Sequence, residues 1–393
     1  MKIAIIGKGT SAIITALVCI QNGHKVEILY DPDKPLLNVG ESTTPNIGQL
    51  LTDVLDICIG DLRDNDIVSF KNGIKFINWG YGESDYFRHH FNGNIGAFHF
   101  ESSIFNTFIH EKLEEFGVVY HAEKVTEHHI ENNKININGN KYDFLISCSG
   151  WSDSNEYFDP IFETVNTAII YTENEVDDST YTLHRATEHG WQFGLPFPDR
   201  NLTKCGYLFN RKFQDKQELQ KLLGKEDCKT IEWTPKYAKR IVTNKYEAYN
   251  GNRLMFIEPL QALSLYYYEL FANYICKFLQ NRTLESLEIS NHIYYQELFH
   301  YQISLAFHYS YGSKFDSIFW QDVHKRAKDI MNIHPKFSED SLSYLYNYSS
   351  NYKSKEFLIG IFNYQDYRAL HSGMTGSPMS HFTKNTIIPG FEL

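Results

Sequence analysis

The sequence predicts an α/β fold in which a Rossmann-like nucleotide-binding module carries an inserted β-sheet and a helical C-terminal layer. Three observations predict it: a strand, glycine turn, helix and strand in succession at the N-terminus, period-two alternation through residues 167–209, and helical periodicity beyond residue 265. At 393 residues the chain exceeds one average domain. We therefore expect a module at residues 1–285 with the sheet inserted at about 155–245, followed by a helical subdomain at 286–393.

The N-terminal unit reads KIAIIGKGTSAIITALVCIQNGHKVEILYD. Residues 3–6 predict a buried strand, residues 11–21 predict a helix of small and aliphatic side chains, and residues 25–30 predict the second strand. Asp31 closes this second strand, where an acidic residue suits a ribose hydroxyl.

Between the first strand and the helix, Gly7, Gly9 and Ala12 occupy the small positions of a G-x-G-x-x-G/A turn. The first glycine permits the tight turn, the second lets the backbone approach a pyrophosphate, and the small third residue allows close packing of helix on strand. The phosphate then lies at the helix N-terminus. This pattern predicts binding of an adenine dinucleotide, and the alternative is an ordinary βαβ unit whose glycines serve packing alone.

Local periodicity and turn residues predict the remaining elements. The expected helices lie at 46–59, 102–116 and 214–223, and the expected strands lie at 73–79, 96–100, 118–125, 129–137, 142–147 and 240–249. Within the helical C-terminal layer we expect breaks near Asn281, His334–Pro335 and Gly373.

Composition and charge exclude several functional classes. The formal net charge of −11 argues against a nucleic-acid partner, because binding phosphates requires a basic face. We expect no membrane span and no signal peptide, and hence a cytoplasmic location, because no apolar run is long enough and the chain begins with a core strand. The six cysteines lack C-x-x-C spacing and the histidines lack an H-E-x-x-H pattern, so no metal site is expected. His89–His90 and His128–His129 are expected to be surface pairs, and whether the chain forms a homo-oligomer is left open.

Seven ordered segments resemble one known family. They are GKGTSA at 7–12, VGESTTP at 39–45, FKNGIKFINW at 70–79, DFLISCSGW at 143–151, GWQFGLP at 190–196, GNRLMFIEPL at 251–260 and HYSYGSKFDSIFW at 308–320. In this order the chain resembles the flavin-dependent halogenases, the group that includes tryptophan and phenol/pyrrole halogenases. The resemblance implies an FAD-binding module of the GR2 type found in flavoprotein monooxygenases.

The resemblance also implies which residues hold FAD. These are Gly7, Gly9, Thr10, Ser11, Ala12, Asp31, Val39, Gly40, Glu41, Ser42, Gly251, Asn252 and Pro259. Asn252 stands where family members usually carry Asp, but an amide still donates and accepts hydrogen bonds. Because only one dinucleotide fingerprint is present, the enzyme is expected to receive FADH2 from a separate flavin reductase. A halide ion is the other expected cosubstrate.

Lys71 lies in F-K-x-G-I, the position of the essential lysine in this family. Free hypohalous acid is indiscriminate, so the chemistry needs one positioned nitrogen that hydrogen-bonds the oxidant or becomes a haloamine. A lysine suits this role because burial lowers its pKa toward neutrality. Without the surrounding motif, a solvated surface charge would be the ordinary interpretation.

The segment GWQFGLP stands where the family shows G-W-x-W-x-I-P. By resemblance Trp191, Phe193 and Pro196 screen the flavin from the substrate, with Phe193 replacing the second tryptophan. The alternative interpretation is a core aromatic strand.

The sharpest departure from the family follows Pro259, where tryptophan halogenases carry Glu-Ser-Thr-Gly. Here the residues are Gln261, Ala262, Leu263 and Ser264. An amide cannot take a proton as a carboxylate does, so Gln261 at the catalytic position points to electron-rich phenols, pyrroles or anilines. Leu263 and Ser264 stand at the implied halide site, where Ser264 is less free than glycine to adopt a positive φ. The apolar Leu263 favours bromide or iodide over the more strongly hydrated chloride.

These features predict an FADH2- and O2-dependent halogenase that oxidises halide to hypohalous acid and halogenates an electron-rich aromatic small molecule through Lys71. The first alternative is an FAD-dependent aromatic monooxygenase, which would hydroxylate the substrate directly. The second is a flavin-binding protein without activity, supported only by the altered segment after Pro259.

Overall fold

A computed structural model describes residues 1–91, 96–151, 156–176, 180–333, 358–359 and 362–376. Parallel and antiparallel sheets are packed with helices around one shared hydrophobic core, which confirms the predicted α/β class. The described helices are α1 (Thr10–Gln21), α2 (Pro45–Leu55), α3 (Ile59–Asp64), α4 (Ser102–Glu115), α5 (Lys216–Leu223), α6 (Leu263–Leu279), α7 (Leu284–Tyr309), α8 (Ile318–Ile333) and α9 (Tyr364–Thr375).

The first sheet forms the nucleotide-binding module. Its strands lie in the order Val242–Asn244, Glu247–Tyr249, Phe144–Ser147, Lys2–Ile6, Lys25–Leu29 and Val119–His121. Lys2–Ile6 pairs in parallel with the strands on both of its sides. The glycine turn that leaves Lys2–Ile6 therefore lies at a topological switch point, where open α/β sheets bind their ligands.

The second large sheet has seven strands and contacts the small sheet that contains Val68–Lys71. Its strands lie in the order Lys229–Glu232, Thr167–Glu173, Leu202–Phe209, Gly190–Phe197, Tyr181–Thr187, Gly73–Ile77 and Tyr86–His90. All neighbours are antiparallel except Tyr181–Thr187 and Gly73–Ile77, which are parallel. The sheet expected at about 155–245 thus takes two strands from residues 73–90, and the segment 242–249 joins the first sheet instead. The proposed division into two domains stays a prediction.

Four smaller sheets complete the described β structure. Gly40–Ser42, Ala97–Glu101 and Val68–Lys71 form a three-stranded antiparallel sheet with Ala97–Glu101 in the centre. The other three consist of His129–Glu131, Lys134–Ile137 and Asn140–Tyr142; of Tyr157–Phe158, Lys236–Ala238 and Met255–Phe256; and of Leu358–Ile359 and Phe362–Asn363. The sheet with Ala97–Glu101 in its centre is the most important for the site, because Lys71 lies on one of its edge strands and Gly40–Ser42 is the other edge strand.

Two elements predicted as continuous strands are divided in the structure, and one predicted helix ends early. The strand expected at 129–137 is a hairpin, because Asn132 and Asn133 adopt left-handed conformations that reverse the chain. The strand expected at 240–249 is likewise two antiparallel strands. The helix expected at 46–59 ends at Leu55, where Asp56 is left-handed.

The break expected at Gly373 is wrong, because α9 continues through it. A side chain there would lie 2.2 Å from the ring of Phe87, so this glycine serves close packing of the helix against the second sheet. The break near Asn281 is confirmed, whereas His334–Pro335 lies outside the described residues. No helix of the described chain is both long and apolar enough to span a membrane.

Candidate active site

The N-terminus of α1 is shaped to receive an anion. Gly9 is the N-cap of this helix, and no side chain caps it. A Cβ placed on Gly9 would meet no atom within 4 Å, so open space lies in front of the free amides. Gly7 has φ +126°, and a Cβ there would lie 2.7 Å from the carbonyl oxygen of Cys148, so the turn itself requires glycine. Ala12 is fully buried on the helix, as expected of the small packing position.

Two other predicted segments meet α1 at this point. The hydroxyl of Thr10 donates to Oε1 of Glu41 at 2.9 Å, which attaches the strand Gly40–Ser42 to the helix. Burial raises the pKa of Glu41 to about 7. On the other side, a Cβ on Gly251 would lie 2.3 Å from the side chain of Ser11. The three segments that the family resemblance assigns to the cofactor therefore meet at the N-terminus of α1.

The remaining predicted cofactor residues surround this junction. The hydroxyl of Ser102 donates to the carbonyl oxygen of Val39 at 2.8 Å, and Asn252 accepts a 2.5 Å hydrogen bond from the hydroxyl of Tyr268. Asp31 follows the strand Lys25–Leu29, whose last carbonyl accepts from the amide of Gly7 at 2.8 Å. Asp31 thus lies at the same edge of the first sheet as the glycine turn.

Lys71 is almost completely buried, at 1% exposure, at the end of Val68–Lys71. Its Nζ donates to the carbonyl oxygen of Thr43 at 2.9 Å and to Oγ of Ser42 at 3.2 Å. The ring of Phe91 lies beneath it, with its centroid 5.1 Å from Nζ. Burial lowers the pKa of Lys71 to about 7, because the charged form loses its hydration. A reactive amine is thus fixed beside the strand that reaches α1.

Gln261 is also buried and is held on both sides by histidines. Its Oε1 lies 3.2 Å from Nδ1 of His89, and its Nε2 is hydrogen-bonded to Nε2 of His308. His89 in turn contacts Oδ1 of Asp366 in α9 at 3.1 Å through its Nε2. Nδ1 of His308 lies 2.6 Å from the carbonyl oxygen of Ser304. The position that carries glutamate in tryptophan halogenases is therefore part of a continuous buried polar network.

The implied halide segment forms the start of α6. After Pro259, both Gln261 and Ala262 adopt positive φ, and Ala262 is an N-cap without a side-chain hydrogen bond. Leu263 is the first helical residue and is buried, and the buried hydroxyl of Ser264 has no hydrogen-bond partner in the described chain. The left-handed conformations fall on Gln261 and Ala262, and Ser264 lies within the helix, so Ser264 itself needs no positive φ. The amides of Ala262 and Leu263 donate to the carbonyl oxygens of Pro259 and Leu260, so the positive end of the helix dipole is what can attract an anion here.

The aromatic segment 190–196 lies in the centre of the second sheet. Trp191 is fully buried and lies edge-on to Trp79, and the ring of Phe193 covers Gly206, where a Cβ would be 2.3 Å away. Strand alternation places Pro196 on the opposite face from these two aromatics. Leu195 is the residue of this segment that lies next to Gly40. A Cβ placed on Gly40 would be 2.9 Å from Cδ1 of Leu195. The structure therefore does not group Pro196 with the aromatic screen.

A cavity of about 750 Å³ opens on the outer face of the same sheet. Its lining includes Gln192, Gly194 and Thr203, which alternate with the inward-facing residues of their strands. None of the predicted catalytic or cofactor residues lines it.

Sequence reasoning missed four buried histidines in this region: His89, His99, His184 and His308. The expectation that His89 is a surface residue is wrong, because it is 2% exposed, whereas its neighbour His90 is exposed. Burial lowers the pKa of His308 to about 3, and burial together with Lys71 holds the pKa values of His99 and His184 well below the usual range. Strand alternation could have indicated that these two histidines are buried, because His89 lies on the same strand face as Phe87 and His184 on the same face as Ala186. Among the residues that the structure describes, no group of three or more His, Cys, Asp or Glu side chains is placed to hold a metal.

The family profile described as tryptophan halogenase matches residues 2–97 and 93–381. The chain belongs to this family. It is a family of flavin-dependent oxidoreductases, so the resemblance stated from the sequence motifs is confirmed. Tryptophan 6-halogenase ThaL from Streptomyces albogriseolus is 35% identical over 80 residues, which is 20% of this chain and 15% of that protein. The chain thus matches only a small part of the length of this curated relative.

Solved structures agree over nearly the whole chain. A tryptophan halogenase from Shewanella frigidimarina superposes with a TM-score of 0.77 at 17% identity, covering 98% of this chain and 91% of the other. BrvH, a flavin-dependent halogenase from Brevundimonas sp. BAL3, gives a TM-score of 0.76 at 16% identity, with coverage of 95% and 89%. At this level of identity the likeness establishes the fold.

Proposed function

We propose that this protein is an FADH2- and O2-dependent halogenase that oxidises halide to hypohalous acid and halogenates an electron-rich aromatic small molecule. The observation that carries the proposal is Lys71: a buried amine whose pKa burial lowers to about 7, fixed 2.9 Å from the carbonyl oxygen of Thr43. A buried lysine with no ion-pair partner among the described residues is costly to stability, and perturbed groups of this kind concentrate at functional sites.

Residues of three segments fit the proposed cofactor. The open space before Gly9, the strand Gly40–Ser42 and the turn at Gly251 and Asn252 surround the N-terminus of α1, where a pyrophosphate gains free amides and the helix dipole. When bound, FADH2 would supply two electrons to O2, and the oxygen, then at the peroxide level, would take two electrons from halide to give hypohalous acid. We expect a separate flavin reductase to provide it, and a cytoplasmic location remains a prediction.

The role of this chain's own residues follows from their placement. The N-terminus of α6, where Leu263 and Ser264 lie, is proposed to hold the halide at the positive end of the helix dipole. Lys71 is proposed to accept or orient the electrophile, since the neutral amine has a lone pair and the site is closed to bulk water. Trp191 and Phe193 are proposed to keep the aromatic substrate apart from the cofactor.

Gln261 supports an activated substrate. Its amide is engaged by His89 and His308 and does not remove a proton as a carboxylate would. A ring that already carries an electron-donating hydroxyl or nitrogen needs less help, because its own substituent stabilises the cationic intermediate.

The proposal is tested with purified protein, FAD, a flavin reductase and a panel of phenols, indoles and pyrroles in each halide. The expected product gains one halogen atom and none forms without halide. A product that gains one oxygen atom instead, with or without halide, would establish a monooxygenase.

A further inference from the structure

His184 lies at the centre of the inward face of the second sheet, on Tyr181–Thr187. In register it faces Phe76 on one neighbouring strand and Phe193 on the other. Its ring packs edge-on against Phe76, with centroids 5.3 Å apart, and lies tilted on Trp191 at 4.9 Å. A polar ring is therefore set into an otherwise aromatic wall.

This imidazole is buried, and one of its two nitrogens has no hydrogen-bond partner among the described residues. It is 2% exposed, and its Nδ1 has no partner in the described part of the chain. His99 on the adjoining three-stranded sheet likewise has a buried Nδ1 without a partner among these residues, but its Nε2 lies 2.8 Å from the hydroxyl of Thr182. A buried polar group without a partner is costly, and a ligand that supplied the missing hydrogen bond would offset that cost.

The charge state of His184 limits what it can bind. Burial first, and then the nearby Lys71 and His308, hold the pKa of His184 well below its usual range. The ring is therefore neutral, with one nitrogen that donates and one that accepts. A neutral acceptor in an apolar surrounding favours an uncharged O–H or N–H group over a cation or an anion.

We propose that His184 accepts a hydrogen bond from a hydroxyl or ring N–H of the aromatic substrate and thereby selects phenols, pyrroles and indoles over arenes without a donor. The inference rests on the proposed function and names its substrate class. Aromatic walls with one polar point are the usual lining of a pocket for a planar ligand. Drawing the O–H proton toward the imidazole also raises the electron density of the ring, which offsets the absence of a carboxylate at Gln261.

The test uses two matched substrate pairs, 4-methylphenol with its methyl ether and indole with N-methylindole. Binding to the FAD-loaded full-length protein is measured by calorimetry without halide, so that no turnover occurs. The variant His184→Phe should weaken binding of each donor about tenfold, the value of one lost hydrogen bond, and leave the methylated partner unchanged. His184→Gln, which retains an acceptor, should restore most of the difference.

The corresponding kinetics separate a specific role from a structural one. Under turnover, His184→Phe should raise KM for the donor substrates about tenfold with a smaller change in kcat. An equal loss for donor and methylated substrates would place His184 in the path of the oxidant and overturn the proposal, as would failure of 4-methylphenol and indole to bind the wild-type protein. If the wild type binds the donors selectively but halogenates nothing, the proposed function fails while the assignment of His184 stands.

Discussion

The Nδ1 nitrogen of His308 lies 2.6 Å from the carbonyl oxygen of Ser304. A carbonyl only accepts, so Nδ1 carries the hydrogen, and because burial lowers the pKa of His308 to about 3 the ring is neutral and its Nε2 accepts. Nε2 of His308 therefore accepts a hydrogen bond from the side-chain N–H of Gln261. Oε1 of Gln261 in turn accepts a hydrogen bond from Nδ1 of His89. At the far end of this chain, Nε2 of His89 lies 3.1 Å from Oδ1 of Asp366. A single carbonyl thus sets the direction of three successive hydrogen bonds, from Ser304 to His89.

Changing Gln261 to glutamate should reverse part of this order. Nε2 of His308 would lose its donor and would have to take up a proton to satisfy the new carboxylate. Gln261→Glu should therefore raise the pKa of His308, and the carboxylate should extend activity to less activated rings such as tryptophan. We expect the ratio of kcat/KM for tryptophan to that for a phenol to rise at least about tenfold.

Gln261→Met is the control for that change, because it removes the amide without adding a base and should lower both activities alike. If Gln261→Glu leaves the ratio unchanged, pocket shape and not proton acceptance sets the substrate range.

Lys71→Ala should retain FAD and lose halogenation, because Lys71 contacts the strand Gly40–Ser42 only through its terminal nitrogen. We expect a fall in kcat of at least about 100-fold, with FAD content and affinity unchanged. Lys75→Ala is the matched control, since Lys75 is on the next strand with its Nζ 5.3 Å from the ring centroid of Tyr86. Near wild-type rate and position of halogenation in Lys71→Ala would show that another group directs the electrophile.

The lowered pKa of Lys71 predicts the pH dependence. Above pH of about 7 the amine is neutral and nucleophilic, and below it the ammonium form predominates. The rate kcat/KM should therefore rise with pH through about 7 and level off. Glu41 and Glu258 are two further buried groups whose pKa burial raises to about 7, so Glu41→Gln and Glu258→Gln should each preserve the rise of kcat/KM through pH 7. A rate that falls as pH rises through 7 would instead assign the ammonium form as the active one.

Gly9→Val should separate folding from cofactor binding. Gly9 has φ −89° and open space beside it, so the apo variant should fold with a Tm within about 4 °C of the wild type. The branched side chain would occupy the space before α1, and FAD binding measured by flavin fluorescence should be lost. Gly7→Val should instead unfold the protein, because its φ of +126° and the Cys148 carbonyl exclude a side chain. If Gly9→Val retained full FAD affinity, the phosphate would not bind at this helix N-terminus.

The preference of the enzyme among the halides should follow how weakly each ion is hydrated. Leu263 is buried at the start of α6 and offers no hydroxyl to replace lost water, which penalises chloride more than bromide or iodide. Equimolar competition among the three halides with one phenol, followed by mass spectrometry, should give mainly brominated or iodinated product. Leu263→Thr should increase the chlorinated share. A mainly chlorinated product from the wild type would contradict the expectation.

Local sequence patterns predicted the parts of the site that lie within one chain segment. Gly7, Gly9 and the strand–helix–strand unit could be predicted because a glycine turn has fixed spacing. Asn132 and Asn133 also carried a turn signal, which outweighed the period-two alternation around them.

The network around Gln261 could not be predicted in this way. His89, Gln261, His308 and Asp366 are brought together from four distant segments by strand register and helix packing. Periodicity indicates that a side chain is buried, but it does not indicate which buried side chain lies opposite. The same limit applies to His184, whose partners Phe76 and Phe193 are set by pairing with two other strands.

The parallel pairing of Gly73–Ile77 with Tyr181–Thr187 has a consequence during synthesis. The ribosome synthesises the hairpin of Gly73–Ile77 and Tyr86–His90 early. The strand that pairs with Gly73–Ile77, Tyr181–Thr187, is synthesised only about a hundred residues later. Closing so long a loop is slow, and a two-stranded ribbon is at best marginally stable by itself. Nascent chains that stop before residue 181 therefore expose an unpaired, largely apolar edge, and they should depend on chaperones that the finished chain does not need.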